Sequence, residues 1–105
     1  KVYFTIPTES VFNKHPKVKR SALVGIYNKE SGFKIPVICI ELEIEFKETD
    51  HKNLFHELNQ LGKVYDETLD ISKYIVVDEF PVDPRHNAKI YREKLTSLAQ
   101  KKLEQ

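Results

Sequence analysis

Residues 21–46 read SALVGIYNKESGFKIPVICIELEIEF, and this stretch decides the fold. Ser21 to Tyr27 is a largely apolar run of strand length, and Ile35 to Phe46 is a second, longer one. Between them Asn28-Lys29-Glu30-Ser31-Gly32 is polar, and Gly32 is free to take a positive φ. Two strands joined by a short polar turn make a β-hairpin. In the later half of the second strand, Ile40, Leu42, Ile44 and Phe46 alternate with Glu41, Glu43 and Glu45. That alternation predicts one buried face and one acidic face in water.

Upstream of the hairpin, Val2, Phe4 and Ile6 alternate with Tyr3 and Thr5, which predicts a strand over Val2–Ile6. Pro7 stops it, and Thr8 is placed to cap a helix over Glu9–Lys14 whose inward residues are Val11 and Phe12. His15-Pro16 ends that helix, because the residue before proline is pushed out of the α region. Downstream, Asp50 caps a helix over Lys52–Leu61 with the apolar stripe Leu54, Phe55, Leu58 and Leu61, and Gly62 closes it. Tyr74–Val77 is a short strand, and a last helix over Ala88–Leu103 buries Tyr91, Leu95, Leu98 and Ala99. The order β-α-β-β-α-β-α predicts one α+β domain, a small sheet with helices packed on it.

Composition narrows the function. A chain of 105 residues holds a single domain with a modest core, which leaves little room for a deep pocket of its own. Seventeen Lys and Arg against sixteen Asp and Glu give a net charge of +1, which does not attract a nucleic-acid backbone or an anionic membrane. The single cysteine, Cys39, sits in an apolar run and reads as a buried, inert thiol, consistent with a reducing cytoplasm. The chain begins Lys1-Val2-Tyr3 and has no methionine, the expectation for a piece of a longer protein.

The chemistry concentrates in Glu79-Phe80-Pro81-Val82-Asp83-Pro84-Arg85-His86-Asn87-Ala88-Lys89-Ile90-Tyr91-Arg92. Two prolines and Asn87 stiffen this loop, and Lys89 falls in the expected first turn of the last helix. A cation there opposes the helix dipole, as if an anion were meant to arrive. The plainer reading is a capped helix behind a stiff loop, with Lys89 an ordinary surface residue.

Taken together, these segments resemble the C-terminal domain of the adenylate-forming superfamily of acyl-CoA synthetases, peptide-synthetase adenylation domains and luciferases. Ile6-Pro7-Thr8-Glu9 and His15-Pro16-Lys17-Val18 resemble its I-x-P-x-E helix and HP-x-V turn, and Ala22-Leu23-Val24-Gly25 its AVVG strand. Phe80-Pro81, Lys89 and Arg92 resemble the catalytic-lysine loop, although Ala88 stands where most members carry glycine. The Pro81 to Leu95 segment, with Thr5-Ile6-Pro7-Thr8-Glu9 upstream, looks most like the olefin-biosynthesis β-lactone synthetases and related fatty-acid ligases.

The resemblance implies that residues 1–105 form a mobile C-terminal lid. Its lysine, Lys89, would be delivered to the carboxylate and α-phosphate when a carboxylic acid, a fatty acid by this likeness, is activated as an acyl-adenylate. It also implies ATP and Mg2+ held mainly by an N-terminal domain of the same protein, which is the lid's partner, and a hinge just upstream of Lys1. The second-step acceptor stays open between coenzyme A, a carrier protein and an internal hydroxyl. Around Lys89, the resemblance nominates Arg85, His86 and Arg92 as residues that bind nucleotide or support the lysine.

No metal site is expected: His51 and His56 are five apart and face different sides of a helix. The rival class is a small anion- or nucleic-acid-binding or protein-interaction module. Its main support is the basic cluster Lys14, Lys17, Lys19 and Arg20, which lacks the interleaved aromatics of single-strand binders.

Overall fold

The computed structural model describes residues 3–85 and 89–104. The elements are α1 (Thr5–Phe12), β1 (Val18–Asn28), β2 (Phe33–Leu42), a 3-10 turn (Ile44–Phe46), α2 (His51–Gly62), β3 (Tyr74–Val76) and α3 (Arg92–Glu104). β1 and β2 form the expected antiparallel hairpin, with Leu23 opposite Ile38 and Tyr27 opposite Lys34. Asn28 Oδ1 accepts from the Glu30 and Ser31 amides at 2.9 and 3.3 Å, and Gly32 takes φ 76°. β3 pairs with β2 in parallel, so the strand order is β1-β2-β3. A parallel neighbour requires a crossover, and α2 lies in it.

Both faces of this sheet are covered. Ile38, Ile40 and Leu42 pack with Phe12 of α1 and with Leu54 and Leu58 of α2. Val37 and Cys39, one residue out of step on β2, pack with Leu95 and Ala99 of α3. Burial pushes the Cys39 thiol up to about 12 despite the positive Arg92 and Lys102 nearby, so it is inert as expected. Asp50 Oδ1 accepts from the Lys52 amide at 2.9 Å, the anticipated cap of α2.

Several boundaries differ from the sequence expectations. Of the leading strand, Val2 lies outside the described residues, and Thr5 and Ile6 form the first turn of α1. Pro7 sits inside that turn, where the missing N–H is not needed, so it opens a helix rather than stopping a strand. The alternation of Phe4 and Ile6 does not mark a buried face, since they are 67% and 82% exposed. Gly62 belongs to α2 and is followed by a right-handed Lys63. The need for glycine there is spatial: a Cβ would lie 3.2 Å from the buried Phe12 ring.

β2 stops at Leu42, Ile44 turns out to solvent, and Glu41 is only 3% exposed, so the acidic row is not a water-facing strand face. The physical reason is the second layer. Glu41 is on the side that α3 and Phe80 cover, whereas a one-faced sheet would have left it in water.

Thr8 is not a cap but a buried residue of α1, and its hydroxyl has no hydrogen-bond partner among the described residues. Burying an unpaired hydroxyl costs about 1 to 3 kcal/mol. Thr8→Val, which keeps the shape, is expected to raise stability by about 1 kcal/mol in urea unfolding. An unchanged or lowered midpoint would mean that the hydroxyl is satisfied.

Candidate active-site loop

The loop that carries Lys89 is a narrow ribbon rather than a helix start. Pro81 O accepts from the Tyr91 amide at 2.8 Å, Lys89 O accepts from the Asp83 amide at 2.9 Å, and Val82 pairs with Ile90. These rungs hold residues 89–91 extended, so α3 begins at Arg92 and not at Ala88. Ala88 itself, with His86 and Asn87, lies outside the described residues, and so does the role nominated for His86. Lys89 therefore stands on the outer rung of the ribbon, opposite Asp83, its side chain exposed and its backbone fixed. The helix-dipole argument made for it passes to Arg92, which does occupy the first turn.

Each leg of the ribbon is tied to the sheet by a carboxylate. On the incoming leg, buried Glu41 Oε1 accepts from the Phe80 amide at 3.1 Å and from Arg20 Nε at 2.7 Å. Lys19 Nζ lies 3.5 Å from Oε2, and the Arg20 guanidinium lies over the Phe80 ring at 5.3 Å. Burial works to raise the Glu41 carboxyl, but the bonds from Arg20 and Phe80 outweigh it and leave it below the usual range.

On the outgoing leg, Arg92 Nη1 lies 2.9 Å from Glu9 Oε2, and Nη2 donates to Oε1 at 3.2 Å. Glu9 also accepts from the Leu23 amide at 2.8 Å, while Arg92 donates to Leu23 O at 3.2 Å. Sequence reasoning placed Glu9 in a motif without finding this use for it.

Arg85 is exposed and folds back on Asp83, donating from Nε and Nη2 at 3.2 and 3.1 Å, which holds the Asp83 carboxyl below its usual range. Lys89 and Arg85 thus lie exposed on the loop, Arg85 with its charge paired to Asp83, and Arg92 follows at the start of α3. Open grooves of 330, 340 and 430 Å³ mark the surface, and Lys89 lines none of these. Among the described residues, no group of three or more His, Cys, Asp and Glu is arranged to hold a metal. No described helix is long and apolar enough to cross a membrane.

The basic cluster is engaged internally. Lys14 donates to Tyr65 Oη at 2.8 Å, Lys17 to Thr49 at 3.0 Å, and Lys19 and Arg20 share Glu41.

No protein-family model matches the chain. Over 96 residues, 91% of its length, it is 38% identical to an olefin beta-lactone synthetase of Xanthomonas campestris pv. campestris. The chain is related to one part of the olefin beta-lactone synthetases, and through them to the adenylate-forming enzymes. It spans 17% of the length of that relative.

Solved adenylate-forming ligases show the same fold. An acyl-CoA synthetase of Brucella canis is 27% identical, with TM-score 0.70, covering 93% of this chain and 17% of the other. An anthranilate CoA ligase in complex with anthranoyl-AMP matches at TM-score 0.76 over 98% of this chain and 19% of its own, and at 21% identity it bears on the fold alone.

Proposed function

We propose that this chain is the C-terminal lid of an ATP-dependent, AMP-forming acyl ligase and that it delivers Lys89 to the adenylation step. The observation that carries the proposal is the placement of Lys89, an exposed cation on a backbone pinned at both legs, in a chain related to adenylate-forming ligases. Adenylation brings a carboxylate against the α-phosphate, and both are anions. A cation between them stabilises the transition state more than the ground state. A unit charge pair at about 4 Å and an effective dielectric of about 20 is worth roughly 4 kcal/mol. Lysine's flexible stem suits delivery by a moving lid, and its fixed backbone limits the search.

On this reading the acyl substrate, a fatty acid by likeness to the olefin-forming relatives, is held by the remainder of a longer cytoplasmic protein. So are ATP and Mg2+, by the same likeness to adenylate-forming enzymes. Arg85, exposed but paired with Asp83, would meet phosphate or the large domain only by leaving that partner. The acceptor of the second step, coenzyme A among the candidates, would likewise meet the lid only in the assembled enzyme.

The test compares the full-length enzyme with a version lacking this segment. The shortened enzyme is expected to keep ATP binding and lose acyl-adenylate formation. The isolated chain is expected to show no ATP affinity tighter than millimolar by calorimetry. Micromolar binding by the isolated chain, or full adenylation without it, would overturn the assignment.

A further inference from the structure

We propose that Glu9 is a positioning residue for Lys89, acting through Arg92. This rests on the reading of Lys89 given above and deepens it. Arg92 opens α3, a place where a cation is opposed by the positive end of the helix dipole. Glu9 supplies the compensating negative charge, with both carboxylate oxygens on the guanidinium at 2.9 and 3.2 Å. The pair also engages both backbone groups of Leu23 on the edge strand β1. One contact therefore fixes the start of α3 against α1 and against the sheet at once.

Only Ile90 and Tyr91 separate Arg92 from Lys89, and both are extended. Three residues of extended chain reach about 10 Å, so a displacement of Arg92 passes to Lys89 with little slack. The Arg92 side chain is 42% exposed whereas the Glu9 side chain is 14% exposed, so the acid is the fixed partner and the arginine the tethered one. Glu9 touches none of the reacting groups on this account. Its effect appears only where Lys89 acts.

A cycle in the full-length enzyme separates positioning from plain stability. Wild type, Glu9→Gln, Lys89→Ala and the double variant are compared in pyrophosphate exchange and in consumption of chemically supplied acyl-adenylate. Glu9→Gln is expected to lower the exchange kcat by about ten- to a hundredfold, the scale of a misplacement of about 1 Å. The KM for the acid and the consumption of supplied adenylate should not move. On the Lys89→Ala background, Glu9→Gln should cost nothing further, because there is no lysine left to place. Arg92→Lys, which keeps the charge but loses the fork, should fall between Glu9→Gln and wild type.

Equal loss in both half-reactions, a full additive loss on Lys89→Ala, no loss at all, or outright unfolding of the lid would each overturn the positioning role. If Lys89→Ala alone leaves exchange unchanged, the reading of Lys89 fails instead, and the proposal with it.

Discussion

In the full-length enzyme, Lys89→Ala is expected to slow acyl-adenylate formation by about a thousandfold, since a loss of roughly 4 kcal/mol in the transition state corresponds to that ratio. The loss should fall on kcat. Lys89 is exposed on the outer rung of its ribbon and, on this account, meets the reacting groups only on closure, so substrate binding before closure should not depend on it. An interaction made only in the transition state lowers kcat and kcat/KM together and leaves substrate binding alone. Removing the ammonium should also leave the lid folded. The contacts that hold residue 89 are made by its backbone, and alanine keeps them. A melting temperature shared with wild type, together with pyrophosphate exchange reduced about a thousandfold, is the expected pair of results.

The second large effect concerns Glu41 and is a matter of stability. Glu41→Ala removes the acceptor of both Arg20 Nε and the Phe80 amide, and leaves Phe80 buried with that amide unpaired. Breaking a buried ion pair by deleting one partner costs about 3 to 5 kcal/mol. The Arg20 side chain is 30% exposed and recovers some hydration, so the lower end, about 3 kcal/mol, is expected. Domains are stable by only about 5 to 15 kcal/mol, so urea unfolding of the variant should show a large shift in midpoint.

The same residue sets an acid limb. Its folded pKa is depressed, so its stabilisation is present above the unfolded value of about 4.3 and is lost as pH falls through the folded value. Stability measured downward from pH 6 should therefore decline below about pH 4, and Glu41→Gln should flatten that decline. An unaltered acid limb in the variant would show that other carboxylates carry it.

The sequence made some of this legible and hid the rest for physical reasons. The hairpin was readable because two apolar runs flank a polar turn ending in Gly32, and α2 because its stripe and its Asp50 cap agree. The burial of Glu41 was hidden by the alternation that follows it. The better signal was just upstream, where Val37, Ile38, Cys39 and Ile40 run without alternation, the mark of a strand covered on both faces. The first turn of α1 was missed because Pro7 was weighed as a breaker, although proline is tolerated in a first turn.

Motif order is the main ground in the sequence for nominating Lys89. The extended conformation of Lys89 depends on the rungs from the Asp83 amide to Lys89 O and from the Tyr91 amide to Pro81 O, which no local periodicity announces. The Glu9–Arg92 pair joins residues 83 apart, and only the folded sheet brings them together.

The most direct test of the central claim is the ratio of the two half-reactions in Lys89→Ala, measured in the full-length enzyme. If the lid carries Lys89 to the adenylation step and then turns it away, pyrophosphate exchange falls about a thousandfold while consumption of supplied acyl-adenylate stays within a few-fold of wild type. Equal loss in both would make Lys89 a structural support of the lid. No loss in either would leave it a surface residue at the base of a loop.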